Sequence, residues 1–331
     1  MDDYRSAALV PAREATFRIE GKRIWVAGHR GMLGQALVRR LGEAGAIMIG
    51  VGRDELDLTR QDDVLDWVSD MKPDAAIIAA AKVGGILANA TYPADFLRDN
   101  LQIGLNCIEA AHRCGVEKLL MVASAAVYPR DAAQPVHETA LMTGPVEQAH
   151  EPYAVAKIAA IKLCQAFARQ HGARFIAANP SNLYGPGDYF DLAKSHVVPA
   201  LIRKAHEAKL AGTPEMVVWG TGRTRREFLH ADDCADALLH VLAHYESPEP
   251  INIGTGVDHT IAELLATIVA TVGFEGRIVH DTSKPDGPAR RLLDSGRLAA
   301  LGWRSSVTLD AGIRDTYRWY VDAMRSGLIR T

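Results

Sequence analysis

Tyr153-Ala-Val-Ala-Lys157 sets a phenol and an ammonium four residues apart. On a helix that spacing puts both on one face, one turn from each other. A lysine beside a tyrosine is expected to stabilise the phenolate and lower the phenol's pKa, so that it gives and takes a proton near neutral pH, as hydride transfer to a ketone requires. Ser124, leaving the apolar run 118–123, offers a hydroxyl to the same carbonyl oxygen. Tyrosine and lysine at this spacing also decorate solvated helix faces, so the pair takes its meaning from what lies upstream.

Upstream stands Gly28-His-Arg-Gly31-Met-Leu-Gly34, between an apolar run at 24–27 and a helical period carried by Leu33, Leu37, Val38 and Leu41. Glycine lets the backbone turn sharply and approach a pyrophosphate, while unpaired N–H groups at the helix start face the anion. Gly28, Gly31 and Gly34, with Arg30 and Met32 between them, are therefore expected to cradle a dinucleotide; a plain turn is the other reading of the spacing alone. A second strand at 46–51 ends at Gly52-Arg53-Asp54, about 20 residues on, where the ribose is read. An acid at the strand end would favour NAD. Arg53 instead offers a fork to a 2′-phosphate, with Arg30 as support, so NADP(H) is expected. Because Asp54 is adjacent, Arg53 also reads as a solvated arginine.

The elements that must hold these groups follow from the rest of the chain. Apolar runs at 24–27, 46–51, 75–81, 118–123 and 174–178 alternate with helical patterns at 62–68, 94–114 and 153–171. That alternation predicts an α/β fold, a doubly wound parallel (Rossmann) sheet with helices on both faces. Less regular elements follow Pro180, among them helices at 197–210, 232–243 and 261–272, and predict a smaller C-terminal α/β substrate domain. The expected division is an extension at 1–21, an NADP-binding domain at 22–180 plus about 227–258, and a nucleotide-sugar domain at 181–226 plus about 259–331. With 37 basic and 40 acidic residues, a net charge of −3 provides no basic field for nucleic acid. No apolar run is long enough to span a bilayer and no signal peptide is evident. Cys107, Cys114, Cys164 and Cys234 lie far apart in apolar contexts, which points to free thiols and a reducing cytoplasm. No metal is expected.

Gly28-x-x-Gly31-x-x-Gly34, Ser124 four residues before Tyr128, and Tyr153-x-x-x-Lys157 resemble the extended short-chain dehydrogenase/reductase family of nucleotide-sugar enzymes. Ala79-Ala-Ala-Lys-Val-Gly-Gly-Ile86, Asn182-Leu-Tyr-Gly-Pro186, Ser195-His196-Val, Trp219-Gly-Thr-Gly222, Arg225-Arg-Glu-Phe-Leu-His230 and Lys284-Pro-Asp-Gly287 narrow the likeness. They are similar to the branch that turns GDP-4-keto-6-deoxy-D-mannose into GDP-L-fucose with NADPH. The resemblance spans roughly residues 23 to 320. It implies that Ser124, Tyr153 and Lys157 carry reduction at C4, after C3 and C5 are inverted. It also implies cofactor contacts from Ala80, Lys157, Asn179, Pro180, Asn182, Leu183 and His196, and sugar-nucleotide contacts from Lys204, Trp219, Arg226 and Lys284. The wide apolar stripes of the helices at 94–114 and 153–171 exceed what one sheet face needs, and the family pairs such helices in a homodimer.

Inversion needs a base on one face of the carbon and an acid on the other, and the family uses a histidine and a cysteine. His196 matches the histidine; a helix-start residue is its other reading. Ala126 stands where the resemblance places the cysteine. Two activities therefore stay open: full epimerisation with a substitute group, or reduction of a GDP-4-keto sugar at C4 alone. A 4,6-dehydratase would need a carboxylate beside the serine turn, and Ala125-Ala126 supplies none. A non-catalytic NADP-binding module would show a damaged serine, tyrosine and lysine set, and all three are present.

Overall fold

The computed structural model describes residues 15–192, 195–283 and 287–329. The chain runs β1 (Arg23–Ala27), α1 (Met32–Glu43), β2 (Ile47–Ile49), α2 (Gln61–Met71), β3 (Ala75–Ile78), α3 (Ile86–Thr91), α4 (Pro93–Arg113) and β4 (Lys118–Val122). It continues α5 (Glu151–His171), β5 (Arg174–Pro180), β6 (Asn182–Tyr184), α6 (Val197–Ala211), β7 (Glu215–Trp219), β8 (Arg225–His230) and α7 (Ala231–His244). The last elements are β9 (Ile251–Ile253), β10 (Asp258–Thr260), α8 (Ile261–Val272), β11 (Arg277–Asp281), β12 (Arg290–Arg291), α9 (Gly296–Ala300) and α10 (Leu309–Arg325).

Six strands form one parallel sheet in the order β2-β1-β3-β4-β5-β9. Both faces of a parallel sheet must be covered, and the alternation of side chains along β1 shows how. Ile24 and Val26 join a core with α1 and α7, while Trp25 and Ala27 join a second core with α2, α4 and α5. The order reverses between β1 and β3, so the loops leaving those strands open a crevice at the sheet's C-terminal edge. A separate core, containing Tyr184, Phe190, Ile202, Leu264 and Tyr320, lies among α6, α8 and α10. Its strands are a small mixed sheet around β8 and the parallel pair β7 with β11. Phe228 of β8 packs in this core and Leu229 in the first, so one strand stitches the two together. Leu298 and Trp303, late in the chain, also join the first core.

Two local expectations change. The second strand is shorter than the apolar run 46–51, because only Ile47–Ile49 pair with β1, its neighbour at the sheet edge. Among the less regular elements after Pro180 is a short strand: past Ser181, β6 leaves the large sheet and pairs with β8, Asn182 opposite Phe228. Among the described residues no helix is long and apolar enough to cross a membrane.

The edge of the sheet remote from the crevice is tied by charge. Lys118 is wholly buried, and its ammonium donates to Glu246 at 2.7 Å; Arg174 reaches the same carboxylate at 2.6 Å. Partial burial works against ionisation of Glu246, but hydrogen bonds from Arg174, Lys118 and Thr16 outweigh it and bring the pKa down to about 2. A carboxyl depressed in the folded state contributes stability that is present above its unfolded value and lost as pH falls through the folded one. We expect Glu246→Gln to cost about 1–3 kcal/mol at pH 7, since it leaves Lys118 buried without its charge partner. Urea titrations at pH 7 and pH 2 check this: the gap between the two proteins closes at the lower pH.

Candidate active site

The glycine loop is shaped by close approach. Gly28 adopts φ +87°, and a Cβ there would stand 2.8 Å from the Ala80 backbone nitrogen, so β1 can pass the loop after β3 only without a side chain. A Cβ on Gly34 would be driven into the Gly28 carbonyl oxygen and to 2.7 Å from the His29 backbone. Gly31 takes the N-cap of α1 with no side-chain hydrogen bond, so no capping side chain occupies the N–H groups of the first turn, starting at Met32. These are the requirements of a pyrophosphate cradle. Beside it His29, Arg30, Gln35, Val38, Arg39 and Met48 line an open hollow of about 430 Å³. Arg30 is paired with Asp54 at 2.6 Å, while Arg53 is exposed. Arg53 is thus accessible at the surface, and Arg30 shares its charge with Asp54 and, at 3.6 Å, Glu55.

The loop after β3 is pinned from α4. Asn100 accepts from the Lys82 backbone N–H at 2.9 Å and donates to the Lys82 carbonyl at 3.0 Å, and the Lys82 ammonium reaches Asp99 at 3.0 Å. Asn100 and Lys82 lie 18 residues apart, and that spacing holds no signal of this clamp.

Ser124 leaves β4 in an extended conformation and caps a 3₁₀ turn, its hydroxyl oxygen accepting from the Ala126 N–H at 3.2 Å. Tyr153 and Lys157 lie in the first two turns of α5, a helix with Pro152 in its first turn and Gly172 capping its end in the left-handed conformation. Small residues let α5 sit close to its neighbours: a Cβ on Gly104 of α4 would touch Ala160 at 3.2 Å. Burial pushes the Tyr153 hydroxyl up to about 12, against a hydrogen bond with Ser124 that lowers it. The expected lowering by lysine is thus overturned. Lys157 is 3% exposed, donates to the Val122 carbonyl at 2.8 Å and lies 5.9 Å from the Tyr153 ring centroid, so its ammonium is not placed against the phenol oxygen by a hydrogen bond. The same burial lowers Lys157 itself to about 8. Tyr153 is consequently a protonated phenol at neutral pH, ready to donate. Cys107, buried against this ammonium, is pushed up to about 12 and stays a thiol.

Behind the turn, the Tyr128 hydroxyl donates to Asn252 at 2.6 Å and accepts from Asn179 at 2.8 Å. This ties the ends of β4, β5 and β9 and fixes Asn179, fully buried, with Pro180 beside it. Asn182 donates to the Glu227 carbonyl at 2.8 Å, and Leu183 packs against the first core. His196 sits at the N-cap of α6, exposed at the surface yet crowded by neighbouring atoms. That surrounding, with charge on His150, holds it below the ordinary histidine value.

The model of the NAD dependent epimerase/dehydratase family matches residues 24–254. The chain belongs to the NAD dependent epimerase/dehydratase family. It is 53% identical to a GDP-L-fucose synthase of Sinorhizobium fredii, over 92% of this chain and 97% of that one. Among solved structures, a GDP-L-fucose synthetase of Naegleria fowleri bound to NADP superposes with a TM-score of 0.88 at 26% identity, covering 96% of this chain and 99% of that one. A GDP-mannoheptose C4 reductase of Campylobacter jejuni with NADP bound gives 0.83 at 34% identity, with 92% and 99% covered.

In this member of the epimerase/dehydratase family, Arg226 on β8 donates to the Arg225 and Pro288 carbonyls, both at 2.7 Å. Its neighbour Arg225 is paired with Asp258 at 3.0 Å, as a structural charge would be. Trp219 ends β7 and is 69% exposed, and Lys204 is half-buried on α6. Lys284 lies outside the described residues. Glu227 was missed by sequence reading. It is 1% exposed and accepts from the backbone N–H groups of Gly256 at 2.7 Å and Leu293 at 3.1 Å, locking the loops on either side of Arg226.

Proposed function

We propose that this chain converts GDP-4-keto-6-deoxy-D-mannose to GDP-L-fucose, inverting C3 and C5 and then reducing the C4 ketone with NADPH. The observation that carries the reading is the Ser124, Tyr153 and Lys157 set, at the exit of β4 and on α5, in the same parallel sheet whose β1 leads into the glycine cradle. Its likeness to a GDP-L-fucose synthase over nearly the whole chain supports the sugar. Gly28, Gly31, Gly34 and the first turn of α1 hold the pyrophosphate, Arg53 the 2′-phosphate and Lys157 the nicotinamide ribose. NADPH, when bound, supplies the hydride. Ser124 and Tyr153 grip the C4 oxygen with their hydroxyls, and Tyr153 gives it the proton. Lys157, mostly charged below pH 8, stabilises the phenolate left behind.

Residues 22–180 with about 227–258 hold the cofactor in this reading, and 181–226 with about 259–331 grip the nucleotide. Arg226 and Lys204 face the diphosphate, Lys284 adds a cation, and the exposed Trp219 ring offers the base a stacking face. Leu101 and Leu105 on α4 and Val155 on α5 are exposed, and they form the centre of a homodimer through these helices. Light scattering at micromolar concentration tests this, a monomer contradicting it. The free thiols suit a reducing cytoplasm.

Ala126 favours a second reading, reduction at C4 without inversion. NADPH oxidation on adding GDP-4-keto-6-deoxy-D-mannose, with the product's stereochemistry read by NMR, tests both readings: GDP-L-fucose supports the first, GDP-D-rhamnose or its C4 epimer the second. No oxidation refutes both. The cofactor assignment is checked separately. Arg53→Ala should lower the preference for NADPH over NADH about tenfold or more, the worth of a charge-assisted hydrogen bond; equal kcat/KM ratios in the two proteins would remove Arg53 from the site.

A further inference from the structure

A small hollow lies against the catalytic turn. Ala125, the residue after Ser124, lines it together with Tyr128, Ser181, Asn182, Glu227 and Arg291. Its volume is about 10 Å³, room for one water-sized oxygen. The walls are fixed from several directions. The Ser181 N–H donates to the Ile253 carbonyl at 2.9 Å, which holds the chain where β5 gives way to β6. Arg291, on β12, donates to the Pro129 carbonyl at 2.9 Å and so joins that strand to the end of the turn. Glu227 is held by the N–H groups of Gly256 and Leu293.

One group in this hollow has no use in the fold. Ser181 is 8% exposed, and its buried hydroxyl has no hydrogen-bond partner among the described residues. A buried hydroxyl without a partner is costly, so a ligand that satisfies it is favoured. The wall says which ligand. Arg291 can only donate, the Glu227 carboxylate can only accept, and Ser181 and Asn182 can do either. A single oxygen that both donates and accepts answers all four, and a hydroxyl is such a group.

The keto sugar carries a hydroxyl where this hollow needs one. With the C4 oxygen between Ser124 and Tyr153, the ring carbons on either side are C3, which bears a hydroxyl, and C5, which bears a methyl. Ala125 follows Ser124 directly, so the hollow adjoins the carbonyl grip, and its polar wall suits C3 and not C5. We infer that Ser181 is a specificity-determining residue that binds the C3 hydroxyl of the GDP-4-keto sugar in this hollow. Water offers the same hydrogen bonds and is the rival occupant.

The inference rests on the proposed function only in placing the ketone at Ser124 and Tyr153, as both readings there do, and the test separates the two. The full chain is given GDP-4-keto-6-deoxy-D-mannose or its 3-deoxy analogue, with NADPH oxidation as the readout. Ser181→Ala should lower kcat/KM for the hydroxylated sugar about tenfold or more, use the 3-deoxy analogue as well as the wild-type protein does, and bind NADPH unchanged. Equal kcat/KM for the two proteins on the hydroxylated sugar overturns the inference. The same loss on both sugars, or a loss matched by weaker NADPH binding, also overturns it. A structure with the reduced product and NADP⁺ separates the occupants: the C3 hydroxyl within hydrogen-bond distance of the Ser181 oxygen supports the inference, and a water there with the hydroxyl elsewhere overturns it. A wild-type protein that oxidises no NADPH with either sugar overturns the proposed function, and this inference with it.

Discussion

Tyr153→Phe should reduce GDP-4-keto-6-deoxy-D-mannose about 10²–10⁴-fold more slowly than the wild-type protein while binding NADPH with little change, as judged by kcat and by fluorescence titration. The substitution removes one oxygen from a phenol that burial holds protonated at neutral pH. It leaves α5, the Lys157 hydrogen bond to Val122 and the glycine loop untouched. The Ser124 hydroxyl still meets the ketone oxygen but has no proton source behind it, so the loss falls on kcat. The pH dependence follows from the neighbouring lysine. Lys157 titrates at about 8, so the wild-type rate should fall as pH rises through that value, the ammonium being lost before the phenol ionises. A Tyr153→Phe rate within threefold of wild type would remove the phenol from the chemistry.

Gly34→Ala should raise the dissociation constant for NADPH about tenfold or more. The added methyl is directed into the Gly28 carbonyl oxygen and the His29 backbone, rigid groups with no side-chain end to yield. Over-packing of this kind costs about 1–3 kcal/mol. The groups that must move are those that shape the cradle, so the cost appears as lost cofactor affinity as well as lost stability. Gly42→Ala, on the same helix with nothing within 4 Å of its added Cβ, is the control and should bind NADPH as wild type. Equal dissociation constants for all three proteins would contradict the assignment of this loop.

The large sheet was legible because its signals are local. A buried strand is a short apolar run, and α8 is a helix with a capping box of Thr260 and Glu263 and a left-handed glycine, Gly273, at its end. Spacing likewise placed Tyr153 beside Lys157. It did not disclose that Lys157 gives one of its hydrogen bonds to Val122 or that burial raises the phenol, so the direction of the tyrosine shift differs from the expectation. The brackets of the site were illegible for a different reason. Asn100 on Lys82, Asn252 on Tyr128 and Glu227 on Leu293 join residues between 18 and 124 positions apart, and only the fold brings them together.

The central claim is that a Rossmann scaffold carrying Ser124, Tyr153, Lys157 and His196 both inverts and reduces its sugar although residue 126 is an alanine. Incubation of the purified protein with GDP-4-keto-6-deoxy-D-mannose and NADPH in D₂O, with the product read by NMR, tests it most directly. The account predicts GDP-L-fucose carrying deuterium at C3 and C5. A reduced product with the original configuration and no deuterium at either carbon would contradict it, leaving a C4 ketoreductase.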